Sequence, residues 1–126
     1  MAKKWTIELG LVESDLDELD GSIRRRILAA IAKKLESDPE RYGEPLGRRR
    51  DRNLAGMFKL KVGDDWRVAY WVVDDTRTVV VGSIGARRDE EVYKLAASRL
   101  EALKQSDHTI QQATFAAVRR IFGVSD

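Results

Sequence analysis

Three runs of strand-forming residues stand almost back to back in the middle of the chain, at 57–62, 66–73 and 78–84, separated by Gly63-Asp64-Asp65 and Asp74-Asp75-Thr76. Connections this short join antiparallel neighbours, because a parallel crossover needs a dozen or more residues. The centre of the fold is therefore an antiparallel meander. Its first turn also fixes a register: three residues over 63–65 set Lys61 opposite Arg67 on the same face, and any other length requires a bulge to do so. Successive strand side chains point to opposite faces, so Lys59 and Lys61 share one face while Phe58, Leu60 and Val62 share the other. Three cations are thus gathered over an apolar floor.

The flanking segments read as helices and one further strand. Trp5, Ile7 and Leu9 alternate with Thr6 and Glu8, which predicts an N-terminal strand with one buried face. Ser14 is placed to cap a short helix. Ile23, Ile27, Leu28, Ile31 and Leu35 recur at helical spacing and predict an amphipathic helix over 22–36 that stops before Asp38-Pro39. Gly43, Pro45, Gly47 and the arginines 48, 49, 50 and 52 predict a surface loop over 39–53. After the meander, Asp89, Glu90 and Glu91 form a helical first turn, where the dipole favours anions, and Val92, Leu95, Ala96, Leu100 and Leu103 form the apolar side. Thr109-Ile110-Gln111-Gln112 matches a capping box, and a stripe including Ile110, Val118 and Ile121 ends at Gly123, predicting a last amphipathic helix over 109–122. The organisation expected is one domain over 1–105 with a helical extension over 106–126.

Hydrophobic residues make up 43% and charged residues 35% of the 126, enough to build one core and inconsistent with wholesale disorder. The net charge of +2 says little, but its distribution says more: acids gather at Glu13, Asp15, Asp17, Glu18 and Asp20, while Arg48, Arg49, Arg50, Arg52, Lys59, Lys61 and Arg67 crowd the middle. An anionic partner facing the central segment fits that asymmetry. With no cysteine, disulfides and thiolate chemistry are excluded. No signal peptide or membrane span is expected, and a cytoplasmic location is the default. No His, Asp or Glu cluster has ligand spacing, so neither a metal nor a cofactor is expected. His108 is read as an exposed linker residue.

The ordered strings Asp38-Pro39, Pro45-Leu46, Gly56-Met57-Phe58-Lys59-Leu60-Lys61, Trp66-Arg67-Val68-Ala69-Tyr70, Ile84-Gly85-Ala86-Arg87 and Val92-Tyr93 resemble the RelE/ParE superfamily of bacterial type II toxins, the RelE branch most of all. The resemblance covers roughly residues 5–103. It implies an α+β fold: a small antiparallel sheet, made of the N-terminal strand and the three-stranded meander, packed with helices. It also implies a catalytic set of Lys59, Lys61, Arg67, Arg87 and Tyr93. Two features depart from compact members of the superfamily, the arginine-rich stretch before the first meander strand and the helix after Ser106.

A site of this composition suits RNA cleavage by the substrate's own 2′-hydroxyl. Crowding by positive charge favours the neutral amine that a base needs, and cations stabilise the phosphorane-like charge. Lys59 or Lys61 serves as the base, Lys61 being favoured, while its neighbour stabilises the phosphorane-like charge; Arg67 and Arg87 are read as bidentate phosphate ligands, and Tyr93 as the ring that stacks on or orients a nucleobase or helps proton transfer. From composition alone, these cations would be the solvated face of a sheet. The resemblance reverses that preference and implies a ribosome-dependent mRNA endoribonuclease silenced by a RelB-like antitoxin. The alternatives are a ParE-like toxin that binds gyrase or another protein, and a partner that has kept only the fold. Trp66, Tyr70 and Trp71 are read as packing residues. The runs Arg24-Arg25-Arg26 and Arg48, Arg49, Arg50 and Arg52 are candidate contacts to ribosomal RNA backbone or, more simply, solvated faces.

Overall fold

The meander forms as its spacing requires. In the computed structural model, which describes residues 4–49, 52–86 and 89–105, strands β3 (Arg52–Val62), β4 (Trp66–Val73) and β5 (Thr78–Ala86) pair antiparallel in succession. The turn between β3 and β4 holds three residues and pairs Val62 with Trp66 and Lys61 with Arg67. Gly63 opens it at φ +62°, a backbone conformation that favours glycine, and the exposed Arg26 guanidinium lies over it. The turn into β5 is a single 3₁₀ turn closed by Arg77 at φ +48°.

The sheet has five strands in the order β1-β5-β4-β3-β2. β1 (Thr6–Glu8) runs parallel to β5, so the sheet is mixed rather than wholly antiparallel. The guanidinium carbon of Arg77 lies 4.8 Å from the centroid of the Trp5 ring, beside this pairing. The second difference from expectation is β2 (Glu44–Arg49), which occupies part of the predicted 39–53 loop and pairs antiparallel with β3. A four-residue helix, α3 (Pro39–Tyr42), precedes it. Pro45 and Gly47 read as loop residues, but proline is tolerated on an edge strand and the register shift between Pro45 and Gly47 absorbs the glycine.

Helices cover both faces of the sheet. α1 (Glu13–Asp17) has Val12 at its N-cap position with no side-chain cap bond, so Ser14 lies inside the helix instead of capping it. α2 (Gly21–Ala30) is capped by Asp20, whose carboxylate accepts from the Ser22 amide at 3.2 Å, and continues through a π turn over Ile31–Leu35. Val12, Ile27, Ile31 and Leu35 pack with Leu60, Val62, Val68, Tyr70, Val79, Val81 and Ile84 on one face. On the other, Val92, Tyr93, Ala96 and Leu100 of α4 (Asp89–Gln105) pack with Leu46, Met57, Ala69, Trp71, Val73 and Val80.

The buried seam of α4 is thus 92, 93, 96 and 100, with Tyr93 inside and Leu95 outside at 41% exposure, against the expected apolar side containing Leu95. A bulge in β5 explains the close seat of this helix. Ala69 pairs with Ser83 and Tyr70 with Val81, leaving Gly82 unpaired, and a Cβ on Gly82 would overlap the Trp71 ring and lie 2.9 Å from the Ala96 Cβ. Among the described residues no helix is long and apolar enough to cross a membrane. The predicted 109–122 helix lies outside the described residues.

Candidate active site

The two-residue period of β3 and the three-residue turn together determine where the cations fall. Lys59, Lys61 and Arg67 lie on the face that α4 packs against, and a transverse row runs Lys61–Arg67–Gly85 across β3, β4 and β5. Neighbouring strands are about 4.8 Å apart, so the row is a compact line of two cations ending at a residue without a side chain.

The three cations differ in environment. Lys61 is exposed. Arg67 is only 9% exposed, and its Nη1 donates to the carbonyls of Asp64 at 3.2 Å and Trp66 at 3.0 Å, which fixes the guanidinium against the turn that sets the register. Lys59 is 8% exposed, and its Nζ lies 3.5 Å from the carboxylate of Glu44, the residue paired with it on β2. Glu44 was hidden from sequence reasoning because its strand read as a loop. No two-residue alternation announces that strand, since Glu44 and Pro45 are both exposed and Leu46, two residues from Glu44, is buried.

Tyr93 departs from its assigned place. Its side chain is fully buried between α4 and the sheet, so in this conformation it offers no ring face to a nucleobase. Arg87 lies outside the described residues.

Several polar contacts hold α4 over this face. Arg99 meets Asp15 bidentately at 2.7 and 2.8 Å, Asp15 also accepts from the Ile84 amide at 3.0 Å, and Arg99 donates to the Gly82 carbonyl at 3.0 Å. One ion pair thereby joins α1, the β5 bulge and α4. Ser83, fully buried, donates to the Val92 carbonyl at 2.6 Å in the first turns of the same helix. Neither Asp15 nor Arg99 carries a local pattern that announces the pairing, since they are brought together from distant parts of the chain.

The opposite face contains no part of the cation row. Phe58 and Tyr70 stack there with centroids 5.7 Å apart, and the Tyr70 hydroxyl donates to the Pro39 carbonyl at 2.6 Å. Burial, with the nearby charges of Asp38 and Glu40, holds the Tyr70 phenol well above its ordinary range. Trp71 and Tyr70 are core residues, as their pattern indicated. Arg24 donates to the carbonyls of Leu16 and Asp17 at the end of α1 and of Leu19 just beyond it, which makes it a helix cap.

Comparison with known proteins agrees with this architecture. The family model described as the ParE toxin of the type II toxin–antitoxin system parDE matches residues 10–91. The toxin–antitoxin complex RelBE2 of Mycobacterium tuberculosis contains a similar chain, 28% identical, with a TM-score of 0.58 over 69% of this chain and 94% of that one. A double mutant of the Escherichia coli toxin RelE in the free state is 25% identical, with a TM-score of 0.56 over 79% of this chain and 98% of that one. The isolated Escherichia coli RelE toxin, at 22% identity and a TM-score of 0.51, shares the fold over 79% of this chain and 99% of that one. No curated protein matches the chain.

Proposed function

The chain belongs to the ParE toxin family, within the RelE/ParE superfamily of type II toxin–antitoxin systems, and from that premise we propose that it acts as a ribosome-dependent mRNA endoribonuclease. The observation that supports this reading best is the cross-strand pair Lys61–Arg67, with Lys59 two residues away on the same face. Two or three cations on a rigid sheet suit a phosphodiester whose charge grows in the transition state.

Lys61, the exposed member, takes the proton of the 2′-hydroxyl. The 2′-oxygen attacks phosphorus, the bond to the 5′-oxygen breaks, and the proton is delivered to that leaving oxygen. The products are a 2′,3′-cyclic phosphate and a 5′-hydroxyl. Lys59 stabilises the phosphorane-like charge and Arg67 grips its oxygens, a role worth about 10²- to 10³-fold by comparison with a lost oxyanion donor, and both roles require the substrate to open access to side chains that are 8% and 9% exposed. Arg87 is proposed as a second phosphate ligand. A role for Tyr93 on RNA requires α4 to leave the sheet; while α4 is seated, Tyr93 is a core residue.

The partner proposed for this activity is a RelB-like antitoxin whose flexible, acidic or amphipathic segment covers the basic face or displaces a helix. End-group analysis of mRNA cut in a translating extract tests the chemistry. A cyclic phosphate with a 5′-hydroxyl is expected, and a 3′-hydroxyl with a 5′-phosphate contradicts the mechanism. The match to the ParE family favours a second reading, a toxin that binds gyrase or another protein without cutting RNA. Inhibition of gyrase supercoiling with intact mRNA is its signature.

A further inference from the structure

α4 buries one side against the sheet, and its back has the shape to receive a second helix. Val92, Tyr93, Ala96 and Leu100 face the sheet. Leu95, Ser98 and Ala102, spaced i, i+3 and i+7, fall on the opposite side, all of them exposed and Leu95 at 41%. A lone exposed leucine is ordinary. Here it stands in line with two short side chains, so that another helix can come close at Ser98 and Ala102 and bury Leu95 as it does.

The chain carries a segment that fits. Residues 106–126 lie outside the described ones, but their sequence predicts an amphipathic helix over 109–122 with Ile110, Ala113, Ala117, Val118 and Ile121 on one face. Such a helix is marginal alone in water and needs a surface for that face. α4 ends at Gln105, and Ser106-Asp107-His108 leads to the capping box at Thr109, a connection within the range of about two to five residues that joins antiparallel helices. Leu95 lies ten residues, about 15 Å of helix, before Gln105. A helix returning from Thr109 at the same rise brings Ala113 level with Ala102, Ala117 level with Ser98, and Val118 and Ile121 onto Leu95. Small residues meet small ones, and the bulky ones meet the leucine.

We propose that the segment over 109–122 docks antiparallel on the back of α4 and closes a helical hairpin, with Val118 and Ile121 covering Leu95. Two considerations choose this occupant over a second copy of the chain. The short connection presents the segment at a millimolar effective concentration. A surface of one leucine and two short side chains also falls far below the roughly 800 Å² per partner of a stable dimer. Docked there, the segment backs the helix that covers the face of the cation row, whichever target the toxin has.

The chain has no cysteine, so a pair of introduced ones reports the contact without interference. Full-length Ser98→Cys/Ala117→Cys should form an intrachain disulfide under mild oxidation, because closely packed helices bring these positions within the Cα separation of about 7 Å that a disulfide spans. Arg25→Cys/Ala117→Cys, with its first cysteine on the exposed surface of α2, should not. Hydrogen exchange gives the second measurement: amides over 109–122 should be protected in the wild type and exchange at least about 10-fold faster in Leu95→Asp, while the rest of the domain stays folded because Leu95 is exposed. Disulfide-linked dimers would assign the surface to a second copy and overturn the proposal. So would the absence of a link from Ser98→Cys, equal linking from Arg25→Cys, or exchange over 109–122 that Leu95→Asp leaves unchanged.

Discussion

Lys61 and Arg67 face each other across one strand pair, yet removing them has different costs. Lys61 is exposed, so Lys61→Ala should leave stability within about 0.5 kcal/mol while abolishing growth inhibition. Arg67 donates to two carbonyls of the turn, and Arg67→Ala leaves those acceptors short of a partner at about 1–3 kcal/mol, so lost toxicity in that variant is partly a matter of folding. A paired measurement of toxicity and thermal unfolding separates the two cases. Away from the site, Glu40 is raised above its ordinary value chiefly by a hydrogen bond shared with the Asp74 carboxyl, then by burial and by the charges of Asp74 and Asp38. The fold therefore favours protonated Glu40. Its stabilising contribution is complete below the ordinary carboxyl range and is lost as pH rises through the raised value. Glu40→Gln should consequently unfold at a higher temperature than the wild type near neutral pH and lose that advantage on acidification, which thermal melts from about pH 4 to about pH 8 can check.

At the scale of elements, α4 is held by packing and by the Arg99–Asp15 pair, whose side chains are 20% and 12% exposed. Removing one partner leaves a largely buried charge uncompensated, and Arg99→Ala should cost about 3 kcal/mol, read as a fall in the denaturation midpoint. The meander was legible because its signals are local: turn length and two-residue alternation specify both the strands and the Lys61–Arg67 register. The helix over 22–36 was legible for the same reason, apart from its closing π turn. β2 was not, since Pro45 and Gly47 are loop residues until an edge strand and a register shift accommodate them. The rotation of α4 that buries Tyr93 and exposes Leu95 was hidden as well. It depends on the bulge at Gly82, a contact between β5, Trp71 and Ala96 that no periodicity in the helix records. Parallel pairing of β1 with β5 is likewise a tertiary choice, as alternation in Trp5, Ile7 and Leu9 is silent on direction.

For the molecule as a whole, a sheet covered by α2 on one face and α4 on the other carries its cation row on the α4 side. The similar RelBE2 chain is covered over 94% of its length by 69% of this one, so this protein carries sequence beyond the shared fold. The extension over 106–126 is proposed to pack its Ile110, Val118 and Ile121 stripe against the domain or a second copy, because an amphipathic helix this short is marginal alone in water. Truncation after Gln105 should lower thermal stability or change the oligomeric mass; an unchanged, stable monomer with altered cleavage would make the extension a functional arm instead. The activity proposed for the cation row is cleavage of mRNA on the ribosome. Primer extension on a defined mRNA in a reconstituted translation system, with wild type and Lys61→Ala in parallel, tests it most directly. New 5′ ends should appear within translated codons for the wild type and be absent for Lys61→Ala, whereas intact mRNA with the wild type, or equal cutting by both, would contradict it.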